Sequence, residues 1–194
     1  SQIKEVDTIC VGEGEEFVTE LADCLCEGKN FTHIGGLATR EKTGTVIFNR
    51  KSLKDNIDDL PVPDRRGYYF DIIKDRDEIS ILFSRGCHGG CSFCNISSYI
   101  KLCGGSAWRH RDVKKVIDEI EHIIKTTGIK YFRFVDDNFL GPSMVEREKC
   151  FDLAEEIIKR KFNMEFIITS RVEGITYEVF EKMKEAGLVQ VNLG

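Results

Sequence analysis

Three cysteines lie close together in the stretch RGCHGGCSFCN, at residues 85–95: Cys87, Cys91 and Cys94. Cysteines so spaced could be a buried helical stripe, a disulfide pair with a spare thiol, part of a zinc site or ligands of an iron–sulfur cluster. The glycines of the same stretch argue against a helix, because glycine is a poor helix former. Glycine also lets the backbone approach an inorganic centre closely. We therefore expect a loop whose cysteines bind a metal centre.

The number of cysteines bears on which centre they would hold. Structural zinc usually has four protein ligands, commonly in two separated pairs. Only one such cluster is present in the sequence, although His88 or Cys103 could supply a fourth ligand. Iron–sulfur clusters also usually have four cysteine ligands. Three ligands would leave one metal position open, and an open position at a metal site allows chemistry.

The segment CHGGCSFC resembles the C-x₃-C-x-Φ-C signature of radical S-adenosylmethionine enzymes, with Phe93 as the aromatic residue Φ. The resemblance extends over residues 79–194. It implies that Cys87, Cys91 and Cys94 ligate three irons of a 4Fe-4S cluster, and that the fourth iron chelates S-adenosylmethionine. The reduced cluster would then cleave the sulfonium C–S bond to give methionine and a 5′-deoxyadenosyl radical. A reductant such as flavodoxin or ferredoxin is the implied partner.

The same resemblance implies cofactor-binding positions beyond the cysteines. They are the backbone near Phe93 for adenine, Asp136 in FVDDNF for the amino group of S-adenosylmethionine, Ser170 and Arg171 in TSR, and Asn192. A carboxylate pairs well with an ammonium group, and arginine with a carboxylate. The alternatives are that Asp136 is only a turn former and that Arg171 is solvated or interdomain. Arg111 could fix the loop or the substrate side, or lie on the surface. No residue is assigned as catalytic.

Alternating strands and helices surround these residues. Strands are predicted at 6–12, 44–49, 79–84, 129–135, 164–169 and 188–193. Helices are predicted at 12–28, at 112–127 with Asp112 as N-cap, from Ser143 with a Ser143/Glu146 capping box, and at 176–186. Such units build a parallel sheet with right-handed crossovers. The predicted fold class is α/β, the N-terminal part of a partial (βα)₆ TIM-like barrel with about four strands.

The front of the chain resembles the join between a Rossmann-like cobalamin domain and the radical domain in the cobalamin-dependent branch of that family. The resemblance lies in the GEGE turn, with Gly12, Gly14 and Glu15, and in the linker NIDDLPVPDR. We expect a domain remnant with linker at 1–75, a truncated radical domain at 76–194, and a longer natural protein at both ends. The full-length protein could then bind cobalamin, and it could methylate, cyclise or rearrange its substrate.

Composition limits the partners and the compartment. Of the 194 residues, 41% are hydrophobic and 31% charged, and the net charge is -5. We expect a cytoplasmic protein with no nucleic-acid or membrane partner. Four of the eight cysteines, Cys10, Cys24, Cys26 and Cys150, are expected to be buried or incidental. An iron–sulfur electron carrier and a zinc-stabilised binding module are the alternative functions.

Overall fold

A computed structural model describes residues 6–41, 43–65 and 78–194. The chain divides into two compact units. One comprises residues up to Asp55 together with Gly90–Ser106, and the other comprises Asn56–Gly89 together with Ala107–Gly194. The domain boundary predicted near residue 75 lies outside the described residues.

The described part of the first unit contains an antiparallel sheet and two helices. In chain order its elements are β1 (Thr8–Cys10), α1 (Glu15–Cys26), β2 (Leu37–Arg40), β3 (Val46–Phe48) and α2 (Asn95–Cys103). The strand order is β1-β2-β3. The strands predicted at 6–12 and 44–49 and the helix at 12–28 are confirmed, whereas β2 and α2 were not predicted.

The buried face of α1 matches the one that its apolar spacing predicts only in part. The helical spacing of the apolar residues predicts one buried stripe of Phe17, Val18, Leu21, Ala22 and Leu25. Ala22 is exposed, however, and Val18 and Leu25 are 61% and 59% exposed. Phe17 and Cys24 of α1 are buried with Ile34 and Leu37 in the core of this unit, and Leu21 packs against them partly buried. The face that α1 buries is set by its packing partners Ile34 and Leu37, which the sequence pattern of the helix alone could not identify.

The second unit is built on a parallel sheet. Its elements are β4 (Glu78–Ile81), β5 (Ser84–Gly86), β6 (Trp108–His110), α3 (Val113–Thr127), β7 (Tyr131–Phe134), α4 (Met144–Arg160), β8 (Glu165–Ser170), α5 (Tyr177–Glu185) and β9 (Leu188–Leu193). Within the described residues the parallel order is β4-β7-β8-β9, and β5 pairs antiparallel with β6. The predicted strand, helix, strand alternation is therefore confirmed.

The strand predicted at 79–84 is in fact two short strands in different sheets. β4 ends at Ile81, and β5 begins at Ser84 and pairs with β6. The backbone N–H groups of Phe83 and Ser84 donate to the carboxylate of Asp136 rather than to a neighbouring strand. The apolar run through Phe83 conceals this break, because Phe83 is buried in the same core as Ile81.

Helices α3 and α4 begin where the sequence indicates. The side chain of Asp112 accepts hydrogen bonds from the N–H groups of Lys114 and Lys115, and Ser143 and Glu146 form a reciprocal capping box. Ile117 and Ile120 of α3 and Ala154 of α4 pack in the core. The helical spacing of the apolar residues also predicts that Met144 lies on the apolar face of α4, but Met144 is 74% exposed.

None of the helices in the described ranges is both long and apolar enough to cross a lipid bilayer.

Candidate active site

Parallel pairing places the ends of β7 and β8 side by side. β7 pairs with β8 in register Phe132↔Phe166, and the N–H of Phe139 donates to the carbonyl of Thr169 at 2.9 Å. The loops that follow these strands, beginning at Val135 and at Arg171, therefore leave the sheet at the same edge. Barrel enzymes place their working residues at the carboxyl ends of their strands.

Asp136 is buried at this edge, with 4% of its surface exposed. Its carboxylate accepts hydrogen bonds from the hydroxyl of Ser84 at 2.6 Å, from the N–H of Phe83 at 3.4 Å and from the N–H of Ser84. Burial raises the pKa of Asp136 to about 7, and the hydrogen bonds from Ser84 and Phe83 partly oppose that effect. The carboxyl group thus holds the start of β5 in place, and its predicted contact with an amino group stays a prediction.

Asp137 lies differently from its neighbour. Its side chain is exposed, and its Oδ2 accepts a hydrogen bond from the N–H of Gly86 at 3.1 Å. Gly86 directly precedes Cys87 in the sequence. The two consecutive carboxylates therefore hold both ends of β5, one from the buried side and one from the exposed side.

Asn138 is 1% exposed and connects three parts of the edge. Its Oδ1 accepts hydrogen bonds from the N–H of Arg171 at 3.0 Å and from the hydroxyl of Ser170 at 3.2 Å. Its Nδ2 donates to the carbonyl of Leu140 at 2.5 Å and lies 3.3 Å from Nδ1 of His88. Its own carbonyl accepts from the indole N–H of Trp108 at 2.8 Å. The sequence pattern suggested only a turn former here.

Ser170 and Arg171 lie where the sequence predicted, at the end of β8. A guanidinium nitrogen of Arg171 pairs with Glu173 at 2.5 Å. A Cβ added to Gly89 would lie 2.5 Å from Nη1 of Arg171, so the guanidinium group covers that part of the cysteine loop. Desolvation, together with the charges of Arg171 and Arg147, lowers the pKa of the neighbouring His88.

The cysteines of the signature are reduced rather than disulfide-bonded, and each is partly exposed. Cys87 belongs to the second unit, where its Sγ accepts a hydrogen bond from the N–H of Gly89 at 3.3 Å. Cys91 and Cys94 belong to the first unit, and the N–H of Cys94 donates to the carbonyl of Cys91 at 3.1 Å. Residues 87–94 form no helix or strand, and α2 begins directly after them. The predicted loop is confirmed.

The donor set of this loop suits an iron–sulfur cluster. Thiolates are its usual ligands, and among the described residues other than its chain neighbours no atom lies within 4 Å of the position that a Cβ on Gly90 would take. Within residues 6–41, 43–65 and 78–194, no three His, Cys, Asp or Glu side chains are grouped so as to hold a metal ion. The fit therefore rests on the chemistry and spacing of the thiols and on the open loop that carries them.

The remaining candidates occupy varied surroundings. Phe93 is 91% exposed. Asn192 lies on β9 opposite Thr169, and its Oδ1 accepts a hydrogen bond from Gln190 at 2.8 Å. Arg111 is buried rather than superficial, and its guanidinium donates to the carbonyl of Leu82 and pairs with Glu119.

The cobalamin-side candidates lie at the start of α1. Gly12 has φ +117°, which L side chains rarely adopt, and Gly14 is the residue that precedes the first turn of the helix. Glu15 begins that turn. A Cβ on Gly12 would lie 3.7 Å from the sulfur of Cys103, which is buried at the end of α2. Of the four cysteines expected to be buried or incidental, Cys24 and Cys150 are buried, whereas Cys10 and Cys26 are exposed.

Comparison with known proteins adds independent information. Residues 81–194 match the family model described as the radical SAM superfamily. An uncharacterized methyltransferase of Pyrococcus horikoshii is 30% identical over 192 residues, which cover 97% of this chain and 40% of that protein. The anaerobic magnesium-protoporphyrin IX monomethyl ester cyclase of Rubrivivax gelatinosus is 28% identical over 199 residues, which cover 97% of this chain and 34% of that protein.

A solved structure shows a similar fold. The radical S-adenosylmethionine methyltransferase TsrM of Kitasatospora setae aligns with a TM-score of 0.74 and 20% identity, over 97% of this chain and 37% of that chain. TsrM has been solved with tryptophan substrate and an S-adenosylmethionine analogue, and also with cobalamin and a [4Fe-4S] cluster. The present chain spans 40% or less of the length of these proteins. The α/β fold with a parallel sheet is thus the fold of radical S-adenosylmethionine enzymes.

Proposed function

The chain belongs to the radical SAM superfamily, and on that premise we propose that it forms the S-adenosylmethionine-cleaving part of an iron–sulfur enzyme. Cys87, Cys91 and Cys94 would hold a 4Fe-4S cluster with one open iron, which when bound supplies the electron that cleaves S-adenosylmethionine to a 5′-deoxyadenosyl radical. The observation that carries the proposal is the set of three reduced cysteines at the signature spacing, in an irregular loop that directly follows β5. A small electron carrier such as flavodoxin or ferredoxin would be the reductant, in the cytoplasm.

Residues at the strand ends would bind S-adenosylmethionine. Arg171 lies beside Gly89 of the cysteine loop, where its guanidinium could exchange Glu173 for the carboxylate of the cosubstrate. The hydroxyl of Ser170 would orient the same region through Asn138. Phe93, Asp136 and Asn192 complete the proposed binding set. Asp136 would act through the geometry of β5, because its carboxylate already accepts hydrogen bonds from Ser84.

The proposed reaction acts on a carbon of a substrate that the later part of the full-length protein would bind. The relatives include a methyltransferase and a cyclase, and both chemistries fit the proposal. A more specific form of the proposal is that the full-length enzyme depends on cobalamin. The backbone at Gly12 and Gly14 and the side chain of Glu15 would then lie on the side that faces the cobalamin. A partial (βα)₆ barrel preceded by part of a Rossmann-like cobalamin domain is the proposed architecture.

The test is anaerobic iron–sulfur reconstitution of the full-length protein, followed by electron paramagnetic resonance with and without S-adenosylmethionine. We expect about four irons per chain and a reduced signal that changes when S-adenosylmethionine is added. The variant Cys87→Ala/Cys91→Ala/Cys94→Ala should take up no iron. Cys103→Ala is the matched control, because Cys103 is a buried thiol outside the signature.

Three results would contradict the proposal. A colourless protein that takes up zinc would indicate a zinc-stabilised module. A cluster that is lost in Cys103→Ala would have four cysteine ligands, as expected of an electron carrier. A cluster whose signal ignores S-adenosylmethionine would likewise favour an electron carrier.

A further inference from the structure

The orientation of the Asn138 side chain is fixed by partners that can play only one role. The N–H of Arg171 can only donate, so the atom 3.0 Å from it must be the amide oxygen. The carbonyl of Leu140 can only accept, so the atom 2.5 Å from it must be the amide nitrogen. The choice between the two amide orientations, which is often ambiguous, is settled here by backbone groups.

This orientation determines the hydrogen-bonding state of His88. One hydrogen of Nδ2 of Asn138 goes to Leu140, and the other points to Nδ1 of His88 at 3.3 Å. A ring nitrogen that accepts a hydrogen bond carries no proton, so the proton of a neutral ring must lie on Nε2. Asn138 therefore holds the ring by one nitrogen and leaves the other as a donor.

His88 lies between Cys87 and Gly89, so this hydrogen bond ties the cysteine loop to the edge of the sheet. The carbonyl of Asn138 also accepts from Trp108 on β6, and its Oδ1 accepts from Arg171 after β8. The loop is held a second time where Arg171 covers Gly89. Residues 87–89 are thus fixed to the ends of two neighbouring strands through one buried amide.

We propose that Asn138 and His88 are positioning residues for the cluster-binding loop, and that their hydrogen bond sets the place of Cys87 and fixes His88 as the Nε2–H tautomer. The proposal rests on the proposed function above. Hydrogen bonds to cluster sulfurs and to ligand residues tune the reduction potential and the retention of the metal. Neither residue would touch the reacting carbon.

Two variants at His88 separate this role from a general effect on folding. His88→Ala removes the acceptor, whereas His88→Asn places an amide oxygen close to the position of Nδ1 and should restore the bond to Asn138. Asn138→Ala is informative only together with these, because it also removes partners of Ser170 and Arg171. His122→Ala, on the exposed side of α3, is the matched control.

The first measurement uses the full-length protein without its cluster. Nitrogen-15 resonances of labelled histidine distinguish the two neutral tautomers, and the signal that disappears in His88→Ala is that of His88. We expect His88 as the Nε2–H tautomer, with that preference lost in Asn138→Ala. A His88 ring protonated on Nδ1 would overturn the proposal.

The second measurement follows the rate of iron loss to a chelator and the reduction potential of the reconstituted protein. We expect His88→Ala to lose iron about tenfold faster with a shifted potential, and His88→Asn to recover most of the wild-type retention. His88→Ala with wild-type retention and potential would overturn the role in positioning while leaving the proposed function intact. A wild-type protein that assembles no cluster would overturn both.

Discussion

At the scale of single residues, the buried carboxyl of Asp136 should make stability depend on pH. Its pKa is about 7 in the folded protein, against 3.8 as the ordinary value. Between about pH 4 and pH 7 the folded state therefore binds a proton that the unfolded state has released, and stability falls as the pH rises. Cys150, its neighbour, has a pKa raised to about 12 by burial and does not titrate in this window.

The variant Asp136→Asn isolates this effect because it cannot titrate. We expect its free energy of unfolding, relative to wild type, to rise by up to about 4 kcal/mol between about pH 4 and pH 8. Urea unfolding at both pH values measures the difference. A difference that stays constant with pH would mean that the folded protein holds Asp136 ionised throughout.

The signature cysteines and the strand ends could be found from the sequence, whereas the contacts among them could not. The resemblance proposed Ser170 and Arg171 as binding residues, but it did not predict their hydrogen bonds with Asn138, which lies more than thirty positions away along the chain. Asn138 follows two aspartates, and all three are common in turns, so composition favoured a turn. Its role depends on which strands are neighbours, which local patterns do not specify.

At the scale of elements, β5 depends on a glycine that precedes the first cysteine. Gly86 has φ +88°, and a Cβ there would overlap the backbone carbonyl oxygen of Ala107, next to β6. Gly44 has the same φ of +88°, but in the part of the chain that the structure describes no residue other than its chain neighbours lies within 4 Å of the position that a Cβ would take. A side chain at either position would therefore carry the same cost of an unfavourable positive φ, but only at Gly86 would it also clash with a neighbouring backbone atom.

We expect Gly44→Ala to cost about 1–2 kcal/mol of unfolding free energy, from the positive φ alone. Gly86→Ala should cost about 1–3 kcal/mol more, because β5 and β6 must move apart to admit the methyl group. Urea unfolding of both variants at one pH measures the difference. Equal losses would show that β6 moves away from Gly86 without cost.

Helix starts were the elements that the sequence predicted best. The capping box of Ser143 and Glu146 and the N-cap Asp112 depend on residues within one turn, and both are present. β2 and β5 were missed because each is short and is defined by pairing with a distant partner, Cys10 with Leu37 and Gly86 with Trp108. Local sequence signals predict local structure, whereas the pairing of strands that are distant in the sequence becomes known only from the structure.

At the scale of the whole molecule, the parallel sheet explains why the candidate site residues lie close together at one edge. The strands β4, β7, β8 and β9 run in one direction, so each following loop leaves at the same edge. The match to the radical SAM superfamily covers this sheet from residue 81 onward. The fold was predictable because strand and helix patterns alternate along that whole segment.

The cobalamin part of the proposal makes a prediction about the full-length protein. We expect it to bind cobalamin, and Gly12→Ala to weaken that binding, because a side chain at φ +117° would displace the backbone proposed to face the cofactor. Gly28→Ala is the matched control, since Gly28 also has a positive φ, +65°, and no described residue beyond its chain neighbours lies within 4 Å of its Cβ position. The measurement is cobalamin retained after gel filtration, read from its absorbance.

A protein that assembles its cluster and responds to S-adenosylmethionine yet retains no cobalamin would limit the proposal to the cobalamin-independent enzymes. Equal losses in both variants would mean that Gly12 acts through stability alone.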